Sequence, residues 1–514
     1  MRKNQIIIIF LIFFNIILTS NYSENQIIVK VDKSITNDIM KKDLVMLGFE
    51  IETKLFDYLN IFLIKYDSIV HSDINSAINI IQSLSYVIYA QKNHLISERL
   101  IPNDPQYSNM WHLNNTGQGG GTENADIDAP EAWDISTGNN RNIVIGVVDS
   151  GFDIEHQDLN ENIWTNINEI ENEIDDDENG YVDDINGWDA YEQDFTHPVT
   201  SHGTKVAGMI GAKGNNNLDV VGVNWNTKIM PISGSSSLTS TVIASYSYAY
   251  DNKILWIDTD GVLGANVVVI NSSWGINYGD CNSGEFPVWN DMFDTLGEVG
   301  ILSVAATMNI NANVDEQGDV PTSCASDYLI TVTNTDRNDS KFSSAAYGAE
   351  SIDLGAPGTS VCSIRPGNLT SCSLTGTSYS APIVSGAIGL MYDSASDFLY
   401  QEYLQNPSST PLIIKNLILN TVDLISSLNG ITVSSGRLNL FNAVSAANQY
   451  DGSCIVVGDF NADSYANIQD IILVMNCILS GCNDDEIICM DLNDDFQIDI
   501  FDIIVLVSIV INRS

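Results

Sequence analysis

Between residues 142 and 354 the chain keeps switching between two periodicities, and this alternation limits the possible fold more than any other feature. The runs Asn142 to Val148, Ala265 to Ile270, Gly300 to Ala305, Tyr328 to Val332 and Ser351 to Leu354 are apolar, several of them continuously. A strand with one wet face alternates apolar and polar residues, whereas a continuously apolar strand is covered on both sides, as in a parallel sheet. The segments between and after them carry a helical period: Gly203 to Gly211, about Thr241 to Asp251, Glu285 to Glu298 and, beyond the last run, Ser378 to Ser394. Repeated strand and helix predict a doubly wound, mostly parallel α/β sheet, with ligands at the carboxyl ends of its strands.

Three polar residues fall on or beside that rim. The stretch Asn142-Ile-Val-Ile-Gly-Val-Val-Asp-Ser-Gly151 ends a buried strand on Asp149, where a carboxylate is costly without a partner. In Ser201-His-Gly-Thr-Lys-Val-Ala-Gly208, His202 stands just ahead of an amphipathic helix, able to point into a cleft. In Leu374-Thr-Gly-Thr-Ser-Tyr-Ser-Ala-Pro-Ile-Val-Ser-Gly386, helical spacing begins at Ser378, and Pro382 is expected in the first turn. The unpaired N–H groups and dipole of a helix start favour developing negative charge, which suits an acyl-transfer nucleophile. Taken singly, these are equally a turn aspartate, a capping histidine and an N-cap serine.

Taken together they run Asp, His, Ser, each inside a local motif, and so the chain resembles the subtilisin-like serine proteases (subtilases) from about Pro102 to Asn448. The resemblance implies peptide-bond hydrolysis, with Ser378 as nucleophile, His202 as general base and acid, and Asp149 holding the imidazole tautomer. It also implies an oxyanion donor. Ser303-Val-Ala-Ala-Thr-Met-Asn309 offers Asn309, with Asn311 as the alternative, although Thr307 and Met308 replace the family's usual Ala-Gly. Tyr379 and Ser380 stand where the family has Met and Ala, and are expected to point away from the reacting centre. Asn271-Ser-Ser-Trp-Gly275 resembles the family's substrate strand, so Ser272, Ser273, Trp274 and Gly275 are candidates for pairing with an extended peptide. A catalytically silent adhesion or binding scaffold on the same fold is the alternative reading.

Net charge bears on partners and metals. With 66 acidic against 21 basic residues the chain carries −45, which argues against nucleic acid or an anionic membrane as partner. Acidic loops are candidate calcium sites. In Asp175-Asp-Asp-Glu-Asn-Gly-Tyr-Val-Asp-Asp184 the expected ligands are Asp175, Asp177, Asn179, the Tyr181 carbonyl and Asp183 or Asp184. Asp189, Glu192, Asp194 and Thr196 resemble a second calcium loop, and Asp158 resembles an aspartate of a third.

The ends of the chain have their own patterns. Residues 1–23 pair a basic start with an apolar run from Ile6 to Leu18, too short to span a bilayer, and predict a secretory signal with no membrane span after its cleavage, with an uncleaved anchor as the alternative. Residues 24–100 read as strand, helix, strand, strand, helix, strand, a ferredoxin-like α+β unit that by position resembles a subtilase propeptide, with self-cleavage near Ile96 to Asp104. The peptidase domain is expected over 101–449. Over 450–514 two loops repeat 32 residues apart, with Asp459, Asn461, Asp463, Asn467 and Asp470 matching Asp491, Asn493, Asp495, Asp499 and Asp502. The pair resembles a type I dockerin, which implies a small all-α calcium-loop domain and a cohesin-like or cell-surface partner. Ser464 and Phe496 replace the glycine such loops use, which weakens the expected calcium affinity. The eight cysteines fit disulfides in an exported protein: Cys362 with Cys372 in the peptidase domain, alongside Cys281 and Cys324, and Cys454, Cys477, Cys482 and Cys489 at the C-terminus.

Overall fold

The computed structural model describes residues 22–33, 35–66, 73–94, 100–235, 238–452, 468–480, 498 and 500–513. These form two compact units, one ending at Glu98 and the other starting at Arg99. The expected signal segment lies almost wholly outside the described residues, as does the expected cleavage segment before Leu100. So do Asp459, Asn461, Asp463, Ser464, Asn467, Asp491, Asn493, Asp495, Phe496 and Asp499 of the repeat, with Cys454, Cys482 and Cys489.

The N-terminal unit runs β1 (Tyr22–Val31), α1 (Asn37–Met46), β2 (Phe49–Phe56), β3 (Ile61–Tyr66), α2 (Ile74–Gln82) and β4 (Val87–His94). Its sheet is ordered β2-β3-β1-β4, with β1 antiparallel to both β3 and β4. That is the split βαβ arrangement. Alternate strand residues Ile27, Val29, Phe62 and Ile64 pack against Met40 and Leu44 of α1 and Ile74, Ala77 and Ile81 of α2. Asp73 caps α2 by accepting the Asn75 and Ser76 N–H groups at 2.9 Å each.

In the second unit the strands are β5 (Val144–Asp149), β6 (Trp188–Asp189), β7 (Lys228–Ser233), β8 (Val267–Ser272), β9 (Ile276–Asn277), β10 (Leu302–Ala306), β11 (Asp319–Val320), β12 (Leu329–Thr335), β13 (Leu354–Pro357), β14 (Thr359–Arg365), β15 (Leu369–Thr375), β16 (Asp423–Leu424) and β17 (Gly436–Arg437). Among the described residues, nine of them form one sheet in the order β16-β17-β13-β12-β10-β8-β5-β7-β6, parallel except at β16. β9 pairs with β11 and β14 with β15, both antiparallel. The main helices are α3 (Ala129–Trp133), α4 (Ser201–Gly211), α5 (Thr239–Asp258), α6 (Pro287–Glu298), α7 (Val314–Gln317), α8 (Thr377–Ser394), α9 (Asp397–Gln405), α10 (Thr410–Asn420) and α11 (Leu440–Gln449).

β5 shows why the apolar runs are continuous. Ile145 and Val147 turn to the core shared with α4, α8 and α11, while Val144 and Val148 turn to the core shared with α5 and α6. Both faces are dry, so neither set of alternate positions has a reason to be polar. Parallel pairing also aligns the strand ends. Asp149 of β5 lies beside Ser233 of β7, Val148 beside Ser272 of β8, and Ser272 beside Ala305 of β10. The residues just past β5, β8 and β10 therefore share one rim.

Disulfides join Cys362 to Cys372 and Cys281 to Cys324 in this unit. The helices Ile468–Ser480 and Ile500–Arg513 pack on each other through Val474, Cys477 and Leu506, and Cys477 is disulfide-bonded. Asp470 and Asp502 are both buried there. Among the described residues, no helix is long and apolar enough to cross a membrane.

Candidate active site

Asp149 is 1% exposed and needs donors, which the chain supplies locally and from α4. The Ser150 N–H donates to its Oδ1 at 2.7 Å, and His202 Nδ1 lies 2.9 Å from both oxygens. His202 is the second residue of α4, and the turn that brings it here requires Gly203, because a Cβ there would collide with the Gly151 carbonyl and press on Asp149. Burial disfavours the imidazolium, but the Asp149 hydrogen bond and charge outweigh it and leave the His202 pKa raised above 6.5.

Ser378 is the second residue of α8, whose entry bends through Gly376 at φ 154°. Pro382 corrects the expectation of a first-turn proline: it is the sixth residue of the helix, inside its second turn. A proline there removes the N–H that the Ser378 carbonyl would accept. The Ser273 hydroxyl takes its place, donating to the Ser378 carbonyl at 3.0 Å. Ser273 is held by Asn271, whose Nδ2 donates to its Oγ at 3.0 Å and whose Oδ1 accepts from Ser385 of α8 at 2.9 Å. The end of β8 is thus fastened to the helix that carries Ser378 at two points, Ser378 in its first turn and Ser385 two turns on. The Ser378 hydroxyl in turn donates to the Ser273 carbonyl at 3.3 Å.

A depression of about 280 Å³ opens beside Ser378, bordered by Ser273, Trp274, Gly275, Met308, Asn309 and Asp319. Asn309 Oδ1 accepts the Thr377 N–H at 3.0 Å, which leaves its NH2 group as the donor on that wall. Asn311 lies elsewhere, its Oδ1 accepting from Lys341 at 3.1 Å. Of the expected substrate-strand residues, Ser273, Trp274 and Gly275 border the depression. Ser272 does not, because strand alternation turns its hydroxyl back to Tyr246 of α5. Tyr379 is a second correction: it does not turn away, and its ring centroid lies 6.3 Å from that of His202. As the third residue of α8 it faces the Asp149–His202 pair, and burial with the nearby Asp149 charge raises its pKa.

The acidic loop gathers differently from its sequence. Glu169, Asp177 and Asp184 are buried with carboxylate oxygens all within 4.8 Å of one another. Burial pushes Asp184 up to about 7, with Asp177 adding to it, and burial also raises Glu169. Mutually repelling hard oxygen donors at this spacing fit a divalent cation. Asp175 and Asp183, by contrast, are spent on the backbone: Asp175 accepts from the Asn179 and Gly180 N–H groups, and Asp183 from those of Asn172 and Glu173. Asn179 donates to Asp184 at 3.1 Å, and the Tyr181 hydroxyl to Asp251 at 2.7 Å. Glu169 escapes a reading of the loop alone because it precedes the acidic run and joins it only by accepting the Asp176, Asp177 and Asp183 N–H groups.

The other acidic expectations are also located. Asp189 and Asp194 each cap their own turn, accepting from Tyr191 and Thr196, and neither joins a cluster of three among the described residues. Asp158 accepts from Asn216 at 2.8 Å and from the Val220 N–H at 3.0 Å, and burial pushes it up to about 7, with Asp219 and Asp104 adding.

On the rim of this mostly parallel α/β sheet, the bonded pair Asp149 and His202 and the helix-start Ser378 follow one another along the chain in the order Asp, His, Ser. The model of the subtilase family matches residues 140–448, and the chain belongs to that family of peptidases. It is 29% identical over 376 residues to an extracellular protease of Xanthomonas campestris, covering 69% of this chain and 58% of that one. It is 30% identical over 325 residues to subtilisin-like protease 1 of Plasmodium falciparum, covering 59% and 43%. It is also 28% identical over 352 residues to thermitase of Thermoactinomyces vulgaris, covering 67% and 99%. The chain thus spans only about half the length of the first two relatives.

Proposed function

We propose that the chain is an exported, calcium-stabilised serine endopeptidase that works through an acyl-enzyme. Ser378 Oγ attacks the scissile carbonyl while His202 takes its proton. Asp149, bonded to Nδ1, keeps the proton-accepting nitrogen turned away from itself and stabilises the imidazolium. The Asn309 NH2 group and the N–H groups at the start of α8 receive the oxyanion. His202 then returns its proton to the leaving amine, and water repeats the sequence on the ester.

The observation that carries this reading is the pair formed by buried Asp149 and the partly exposed His202, 2.9 Å apart on the rim that Ser378 adjoins. Glu169, Asp177 and Asp184 would hold the calcium ion, whose contribution is structural. The N-terminal unit would act as a folding aid and inhibitor that is removed by cleavage. The C-terminal pair would bind a cohesin-like or cell-surface partner.

The test is hydrolysis of a denatured protein substrate by the mature enzyme and by Ser378→Ala. Cleavage lost in the variant supports the peptidase. A wild-type protein that cleaves nothing once the N-terminal unit is removed favours the adhesion scaffold.

A further inference from the structure

The depression beside Ser378 contains one charged side chain, Asp319. It lies in β11, paired with Asn277 of β9, and is 1% exposed. Its two oxygens are used unequally. Oδ2 accepts the Met308 N–H at 2.7 Å and the hydroxyls of Thr322 at 2.7 Å and Thr307 at 3.2 Å. Oδ1 has no partner among the described residues, and stands 3.5 Å from where a Cβ on Gly275 would be. Among the described residues no basic group lowers its pKa, and burial pushes the carboxyl up to about 6.

A buried carboxylate oxygen without a donor is unfavourable unless something else brings one. In the hydrolase reading, on which this inference rests, the side chain next to the attacked carbonyl is the part of a substrate that reaches this depression. We propose that the depression is a specificity pocket for a cationic side chain, with Asp319 Oδ1 receiving the ammonium of lysine or the guanidinium of arginine immediately before the scissile bond. Because three donors already occupy Oδ2, a guanidinium is denied the second oxygen it needs for parallel bonds. Lysine and arginine therefore compete on similar terms. The −45 net charge draws cationic peptides toward the molecule as a whole.

The test uses the mature wild-type enzyme and peptide amides that differ only in the residue before the scissile bond. The expected kcat/KM for Lys and Arg is at least about a hundredfold above that for Leu or Phe, with Lys and Arg within about tenfold of each other and Glu lowest. In Asp319→Asn the Lys-to-Leu ratio falls at least about thirtyfold. If Asp319 serves only to prop the Met308 loop, all substrates fall together and the ratio stays fixed. That outcome overturns the proposal, as does a wild-type preference for Leu or Phe, a result that needs no variant to fold. Fluorophosphonate labelling of the same wild-type sample separates the two readings. A labelled enzyme with an apolar preference overturns the pocket alone, whereas an unlabelled, inert one overturns the hydrolase and the pocket with it.

Discussion

His202 must be neutral to accept a proton, and Asp149 decides at what pH that holds. Because the pair raises the imidazole pKa, activity is expected to climb with pH through a midpoint above 6.5 and to lose its acid limb below it. The same shift stabilises the fold fully below about 6.5, and that contribution fades as pH rises through the folded value. Asp149→Asn should cost about 10⁴ in kcat and move the midpoint down, both read from a pH–rate profile. Asn309→Ala should lower kcat by about 10²–10³, while Asn311→Ala, whose native side chain is bonded to Lys341, should change it less than about threefold. The triad residues were legible because each sits in its own short motif. Tyr379 and Asp319 were not, since one depends on how α8 rotates at Gly376 and the other on β9 pairing with β11.

At the level of elements, α8 depends on a hydroxyl from another strand. Removing it in Ser273→Ala leaves the Ser378 carbonyl without a donor, and should cost about 1–3 kcal/mol, seen as a lower Tm, together with reduced kcat. The acidic loop depends on a cation. Excess chelator should lower Tm, and more so at pH 8 than at pH 5.5: with Asp184 pushed up to about 7, protons relieve the empty cluster below that pH but not above it. An unchanged Tm would reject the cluster as a metal site. Most of the sheet was readable from its apolar runs, because burial on both faces leaves no polar positions to confuse them. β7 was not, since Pro231 in its middle is a residue that normally argues against a central strand, yet it pairs there beside Val147. Glu169 joins its cluster through backbone bonds that no spacing encodes.

Across the whole molecule, a sheet whose order departs so far from chain order is assembled almost entirely from distant pairings, which makes folding slow. Residues 100–514 expressed without the N-terminal unit are therefore expected to refold poorly, and to recover activity when residues 22–94 are supplied separately. Equal refolding with and without that unit would remove its proposed role. The central claim is that Asp149, His202 and Ser378 act as one reacting unit, and the most direct measurement is peptide mass mapping after treatment of the mature protein with a fluorophosphonate. A single adduct on Ser378, slowed severely in His202→Ala, is the expected result. Absence of an adduct, or one on another serine at equal rate, would contradict it.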